Sequence, residues 1–384
     1  MKIYEIGTGY TPIPAQIGAA TEIVAEELSR AFLELDLPVQ IIDIKAKNRI
    51  KTDLPIREVW VPGCFAGTDI KLGLMHKLKR VVYSLCLCAT LQKILRQERE
   101  RVILHFHNQY NLFFFLLLTP RALRKKALIA YTVHSGIWRQ SWEKIESAVK
   151  RRYFQEMCCV KNADLVFVLN QETARNLQTH LNVESNRIRS IANGIHEEVY
   201  YPMGQKRKPM VLQVGSVCEN KGQLRAVQLL LPLLRKHPDL HYAYAGGIVE
   251  ETYHEKLRKF AEEQGVEKQI GYLGMIAPGK ALNEVYGSAL CTIFPSGYEA
   301  FGLVAVESLA TGTPVLLERT GAMNFGEGCM FYTSENFEEI VETLLQDDQT
   351  LLRQLARRNA AENFSWRKIA ADYAAAFEEG MGIR

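Results

Sequence analysis

Residues 291–314 read CTIFPSGYEAFGLVAVESLATGTP, and no other stretch limits the fold so tightly. A short apolar run at 290–294 stops at Pro295, Ser296 and Gly297; Glu299, a small-residue turn at 300–302 and an amphipathic segment over 303–310 follow. That order predicts a strand handing a polar loop to the start of a helix. The unsatisfied N–H groups of such a first turn, at the positive end of the helix dipole, form an anion site suited to a diphosphate. Glu299 precedes the helix and Glu307 lies about one turn inside it, so the two carboxylates can flank the anion site without facing each other. One can hold a sugar hydroxyl and the other a ribose diol, as acids do in nucleotide sites. Taken alone, Glu307 reads more simply as an acid that stabilises the helix dipole.

The strand, polar loop and helix recur along the chain. Strand-like runs fall at 2–6, 39–44, 58–62, 101–108, 127–133 and 163–169, then at 210–214, 240–247, 270–274 and 289–294. Helical spacing fills 19–35 and 71–101 between them. The alternation predicts an α/β protein of two doubly wound, Rossmann-like domains facing across a cleft. At 384 residues, each has the length for its own core. The basic, turn-rich stretch at 202–209 marks the linker. The domains expected are 1–200, 201–363 and a final helical segment at 364–384.

His105 and His107 stand two apart in a strand and share one face, where they could bind a metal. No third ligand follows at metal spacing, so they read as core or supporting histidines. His134 closes the 127–133 strand, at the end that faces the crevice in open α/β sheets. A structural histidine is an equal reading there.

Charge is unevenly spread: residues 1–190 carry 28 Lys and Arg against 18 Asp and Glu, and the rest carry 19 against 25. The run at 112–118, followed by Arg121, Arg124, Lys125 and Lys126, combines apolar and basic surface. It reads as a buried helix with a solvated end, or as a peripheral contact with anionic lipid. It is too short to span a bilayer. The eight cysteines form no C-x-x-C pair, which points to reduced thiols and a cytoplasmic setting, and no secretory leader is evident. No nucleic-acid motif accompanies the basic half.

Glu299, Phe301-Gly302-Leu303, Glu307 and Gly312-Thr313-Pro314 together resemble the E-x7-E signature of retaining glycosyltransferase family 4, of GT-B fold. The resemblance extends over nearly the whole chain. It implies that Glu299 contacts the donor sugar, that the backbone of Phe301, Gly302, Leu303 and Val304 binds the diphosphate, and that Glu307 holds the ribose. The segment at 215–222 resembles the family's G-R-x(4)-K-G loop. Lys221 matches the Lys, while Ser216 stands where the family has Arg, and a hydroxyl cannot supply a guanidinium's charge or fork. Gly18 matches the first glycine of the phosphate-approaching loop, with Ala19 in place of the second. His134 resembles the histidine near the reacting carbon, Asn193-Gly194-Ile195 the turn into the hinge, and the tail a helix crossing back to the first domain.

The activity so implied is transfer of a hexose-type sugar, with retention, from a nucleotide diphosphate sugar to a glycan or lipid-linked acceptor in envelope polysaccharide, lipopolysaccharide or glycolipid assembly. A UDP-sugar is the donor expected first, with no other cofactor. Glu299, His134 and Lys221 form the catalytic set. No D-x-D motif is present, so no metal is expected. Ser216 keeps open a catalytically weak homologue that partners an active enzyme; an epimerase-like GT-B enzyme is another alternative. Attachment at the inner face of the plasma membrane is the further expectation from the basic half.

Overall fold

Strands that are apolar along their whole length pack into parallel sheets covered on both faces. In the computed structural model, which describes residues 1–14, 20–47, 49–65, 74–296, 301–318 and 324–383, they form two such sheets. The chain divides into two compact units, Met1–Gly194 with Trp366–Arg384, and Ile195–Ser365.

In the first unit, strands β1 (Ile3–Ile6), β2 (Val39–Ile44), β3 (Ile56–Val59), β4 (Val102–Phe106), β5 (Ala127–Val133), β6 (Leu165–Val168) and β7 (Ile188–Ser190) lie in the order β3-β2-β1-β4-β5-β6-β7. All neighbours are parallel. The order reverses between β1 and β4, so the loops leaving those strands part in opposite directions and open a crevice at their carboxyl ends. Tyr83, Leu87 and Leu91 of the helix Leu74–Gln97 cover one face with Phe115 and Trp138. The other face is closed by Val24, Leu28 and Phe32 of the helix Ala20–Glu34 and by Ile369, Tyr373 and Phe377 of the helix Trp366–Met381. The spacing of four between the last three puts them on one stripe.

The 112–118 run belongs to the helix Gln109–Leu118, whose first turn is capped by Asn108, its side chain accepting from Tyr110 N at 2.9 Å. Leu112, Phe115 and Leu116 are buried, but Leu117 and Leu118 are 63% and 45% exposed. Lys126 is committed to structure: its Nζ donates to Leu95 O at 2.9 Å and Glu98 O at 2.8 Å, at the end of the helix before β4. Arg121 and Lys125 remain on the surface beside the leucines. Among the described residues no helix is long and apolar enough to cross a membrane.

In the second unit, β8 (Met210–Val214), β9 (His241–Ala245), β10 (Ile270–Tyr272), β11 (Cys291–Phe294), β12 (Val315–Glu318) and β13 (Cys329–Tyr332) repeat the reversal in the order β10-β9-β8-β11-β12-β13, again all parallel. The reversal here lies between β8 and β11. The 202–209 stretch belongs to this unit, where Lys208 N donates to Ser288 O at 2.9 Å; the units divide instead at Gly194 and Ile195, and again at Ser365 and Trp366.

Two glycines let the loops of this unit approach. A Cβ at Gly222 would stand 2.7 Å from the Pro295 carbonyl oxygen, so the loop after β8 lies directly against the end of β11. Gly246, at φ +145°, passes so close to the Gly215 carbonyl that any Cβ would overlap it. Gly246→Ala is therefore expected to cost about 2–4 kcal/mol through strain and overlap together. Urea unfolding measures this, and a wild-type midpoint would contradict the packing described.

Candidate functional site

Strand β11 pairs with β8, with Cys291 opposite Val211 and Thr292 opposite Leu212. This pairing joins two segments about 80 residues apart in sequence. The loop leaving β8 carries Ser216, exposed, and Lys221, half-buried, with the Lys221 carbonyl held by Gln213 Nε2 at 2.7 Å. Gly215 lies against the Lys221 stem, its would-be Cβ 3.7 Å from Cε. The helix Leu303–Ala310 is entered through Gly302, at φ +94°, an N-cap residue with no side chain of its own to bond the first turn. The first amides of such a helix have no partner within it. Leu303 and Val304 are half-buried, whereas the Phe301 ring is buried against Phe325 at 5.4 Å. A role for Phe301 in binding therefore falls to its backbone.

The helix is anchored from behind. Ser308 bonds Thr292 of β11 at 2.6 Å and donates to Thr313 O at 3.1 Å, while Thr313 Oγ1 reaches Tyr286 O at 2.8 Å. The Gly-Thr-Pro part of the motif is thus a clamp between helix and sheet. Glu307 accepts from the Tyr286 hydroxyl at 2.8 Å. Burial pushes its carboxyl above the usual value, and the Tyr286 hydrogen bond to the charged form opposes the shift.

Ser216, Lys221, Phe301, Gly302, Leu303, Val304 and Glu307 thus gather where the order of the second sheet reverses. His134 belongs to the first unit, following β5. Glu299 and Gly18 lie outside the described residues.

The first unit holds a cluster that spacing alone missed. Register places Glu5 of β1 beside His105 of β4. Glu5 Oε1 meets His105 Nδ1 at 2.8 Å and Oε2 meets His107 Nε2 at 2.7 Å. The two histidines do have a third group at ligand distance, contrary to the expectation from local spacing. At these separations the three are hydrogen-bond partners, and both carboxylate oxygens are engaged. His107 Nδ1 continues to His134 Nε2 at 3.0 Å, and His105 Nε2 to Thr132 Oγ1 at 2.7 Å. The signal was a carboxylate within the apolar strand IYEI, because a buried charge must have partners. Burial alone would raise Glu5, but the charge and hydrogen bond of His105 and the hydrogen bond of His107 outweigh it and hold Glu5 at about 2.

Two Rossmann-ordered units, each with polar groups at the carboxyl ends of strands beside its reversal, define the doubly wound class that binds ligands at such crevices. Comparison with known proteins narrows this. The profile described as "Glycosyltransferase Family 4" matches residues 21–199, and that described as "Glycosyl transferases group 1" matches 204–362. The chain belongs to glycosyltransferase family 4, of the GT-B fold. It is 29% identical over 274 residues to a D-inositol 3-phosphate glycosyltransferase of Corynebacterium glutamicum, a match covering 64% of this chain and 63% of that protein. The chain thus spans just under two thirds of that curated relative. Among solved structures, it resembles sucrose-phosphate synthase of Thermosynechococcus elongatus, with a TM-score of 0.74, 19% identity and 100% of both chains covered. It also resembles Anabaena HepE in complex with UDP, with a TM-score of 0.71, 15% identity, and 99% and 100% covered.

Because Tyr286 stabilises the charged form of Glu307, Tyr286→Phe is expected to raise the Glu307 titration further above the ordinary carboxylate value. Carbon-13 titration of glutamate-labelled protein reads this, and an unmoved midpoint in the variant would contradict it.

Proposed function

We propose that the chain transfers a hexose-type sugar, with retention, from a nucleoside diphosphate sugar to a hydroxyl of a phosphate-bearing acceptor. The observation that carries the reading is the convergence of Lys221, the helix amides at 302–304 and Glu307 beside the reversal of the second sheet. In the reaction the bond from the anomeric carbon to the diphosphate breaks, one to the acceptor oxygen forms on the same face, and the acceptor hydroxyl's proton passes to the departing phosphate oxygen. Negative charge grows on the leaving diphosphate, where the Lys221 ammonium and the helix amides stabilise it. Glu307 accepts from the ribose diol, while Glu299 and His134 orient the sugar, so the residues act by charge and position.

UDP is the first donor base to test, since HepE was crystallised with UDP. A phosphate-bearing acceptor agrees with the basic first half and with the inositol phosphate in the Corynebacterium relative's name. Metal independence follows from the absence of a D-x-D motif. An envelope glycan or glycolipid is the acceptor class proposed. Leu117 and Leu118 beside Arg121 and Lys125 favour a second reading, in which the first unit also rests on anionic lipid at the inner face of the membrane.

Calorimetry against UDP-, GDP-, ADP- and dTDP-sugars, with metal and with chelator, tests the donor site. One nucleotide should bind in chelator, and Glu307→Ala should weaken it by about 10–100-fold through loss of charge-assisted hydrogen bonds. Glu299→Ala should bind that nucleotide yet lose at least about 100-fold in kcat. Binding without turnover on any acceptor would favour the weak homologue; turnover of the donor alone would favour the epimerase-like reading; no binding would reject the donor site.

The lipid reading predicts co-sedimentation with anionic vesicles at low salt that is lost at high salt and in a Leu117→Ser, Leu118→Ser variant. Absence of binding at low salt rejects it.

A further inference from the structure

Glu5 is buried in the first sheet and ionised, and the protons along one arm of its network follow from that charge. A carboxylate only accepts, so His107 Nε2, 2.7 Å from Oε2, carries a hydrogen and donates it. Burial and the neighbouring His105 hold His107 below the ordinary imidazole value, so the ring is neutral and its Nδ1 is bare. The partner of that lone pair, His134 Nε2 at 3.0 Å, must therefore donate. His134 is neutral too, since burial and the imidazoles of His107 and His105 push it well below the usual value. Its remaining nitrogen, Nδ1, is then a bare acceptor, and no described residue bonds to it.

We propose that Glu5 and His107 are positioning residues that fix His134 as the Nε2–H tautomer, presenting its Nδ1 beyond β5 as an acceptor for a substrate hydroxyl. The task given to that nitrogen rests on the transferase reading, whereas the tautomer itself does not. A protonated Nδ1 would be a donor instead, repelling a hydroxyl hydrogen that an acceptor holds. The second arm steadies the other oxygen of Glu5: His105 binds Oε1, Thr132 binds His105, and the Tyr373 hydroxyl lies 3.3 Å from Thr132 Oγ1. Glu22, of the helix Ala20–Glu34, also acts on His107 through space, and its charge favours the protonated ring.

The test uses the full chain labelled with nitrogen-15 in its histidine rings. Long-range proton–nitrogen correlation separates bare from protonated nitrogens, and His134→Gln identifies the His134 signals. The expected pattern is a protonated Nε2 and a bare Nδ1 on His134; the opposite pattern in the wild-type chain overturns the proposal whatever the activity. Glu5→Gln supplies an amide donor where only an acceptor stood, so the His134 pattern should become mixed or reversed. In that variant kcat should fall by about 10–100-fold while the nucleotide Kd changes by less than about twofold. An unchanged His134 pattern in Glu5→Gln also overturns the proposal. Thr132→Val, which breaks only the other arm, should keep the wild-type tautomer. If Glu5→Gln does not fold, His107→Phe, which removes the acceptor of His134 Nε2, must disturb the pattern, and failure to do so counts against it. An intact response in a chain with no transferase activity supports the network and rejects the transferase reading.

Discussion

A strand covered on both faces leaves few places for a polar side chain other than its ends. The central strands come nearest to this, with β5 and β11 buried at every residue. Chemistry is therefore displaced to the carboxyl termini, and the reversal of strand order decides which termini lie side by side. In the second unit it joins the loop after β8 to the helix after β11, with the Gly222 and Pro295 backbones in close approach. In the first it sets β1 against β4, and Glu5, one exception to the apolar rule, is tolerated because the imidazoles of His105 in β4 and of His107 just after it hold it.

Much of this was legible in the residues. The strand Cys291–Phe294, the helix Leu303–Ala310 and the family that the motif resembles all show in order of type alone. Strands β7 and β13 did not: Ile188–Ser190 has three residues, and Cys329–Tyr332 is an edge strand preceded by Gly326 and Gly328, so neither carries enough periodic signal to stand apart from a loop. Glu5 was hidden for another reason. Its partners are about 100 residues away, and spacing along one strand is blind to what register places beside it. Phe301 shows the reverse limit, because a motif names a residue without saying whether ring or backbone matters; its ring is core.

The two units use their polar groups differently. Around the second reversal the described candidate groups are the amides at 302–304, the Lys221 ammonium and the Glu307 carboxyl, a set in which backbone takes a large part. In the first unit the polar groups are side chains joined in series, with each proton depending on the next. Such a series is sensitive to exchange of a single donor for an acceptor, whereas a set of amides is largely indifferent to the side chains it is built from.

The helix Trp366–Met381 closes a face of the sheet that begins at Ile3. Ile369, Tyr373 and Phe377 cover Phe32, Leu128 and Phe167, so during synthesis these apolar positions wait uncovered while the whole second unit is made. At ribosomal rates of about 5–20 residues per second, that wait is on the order of ten seconds or more. The first unit to emerge is thus the last to be finished, and for that interval its open face is a surface on which a chaperone could act.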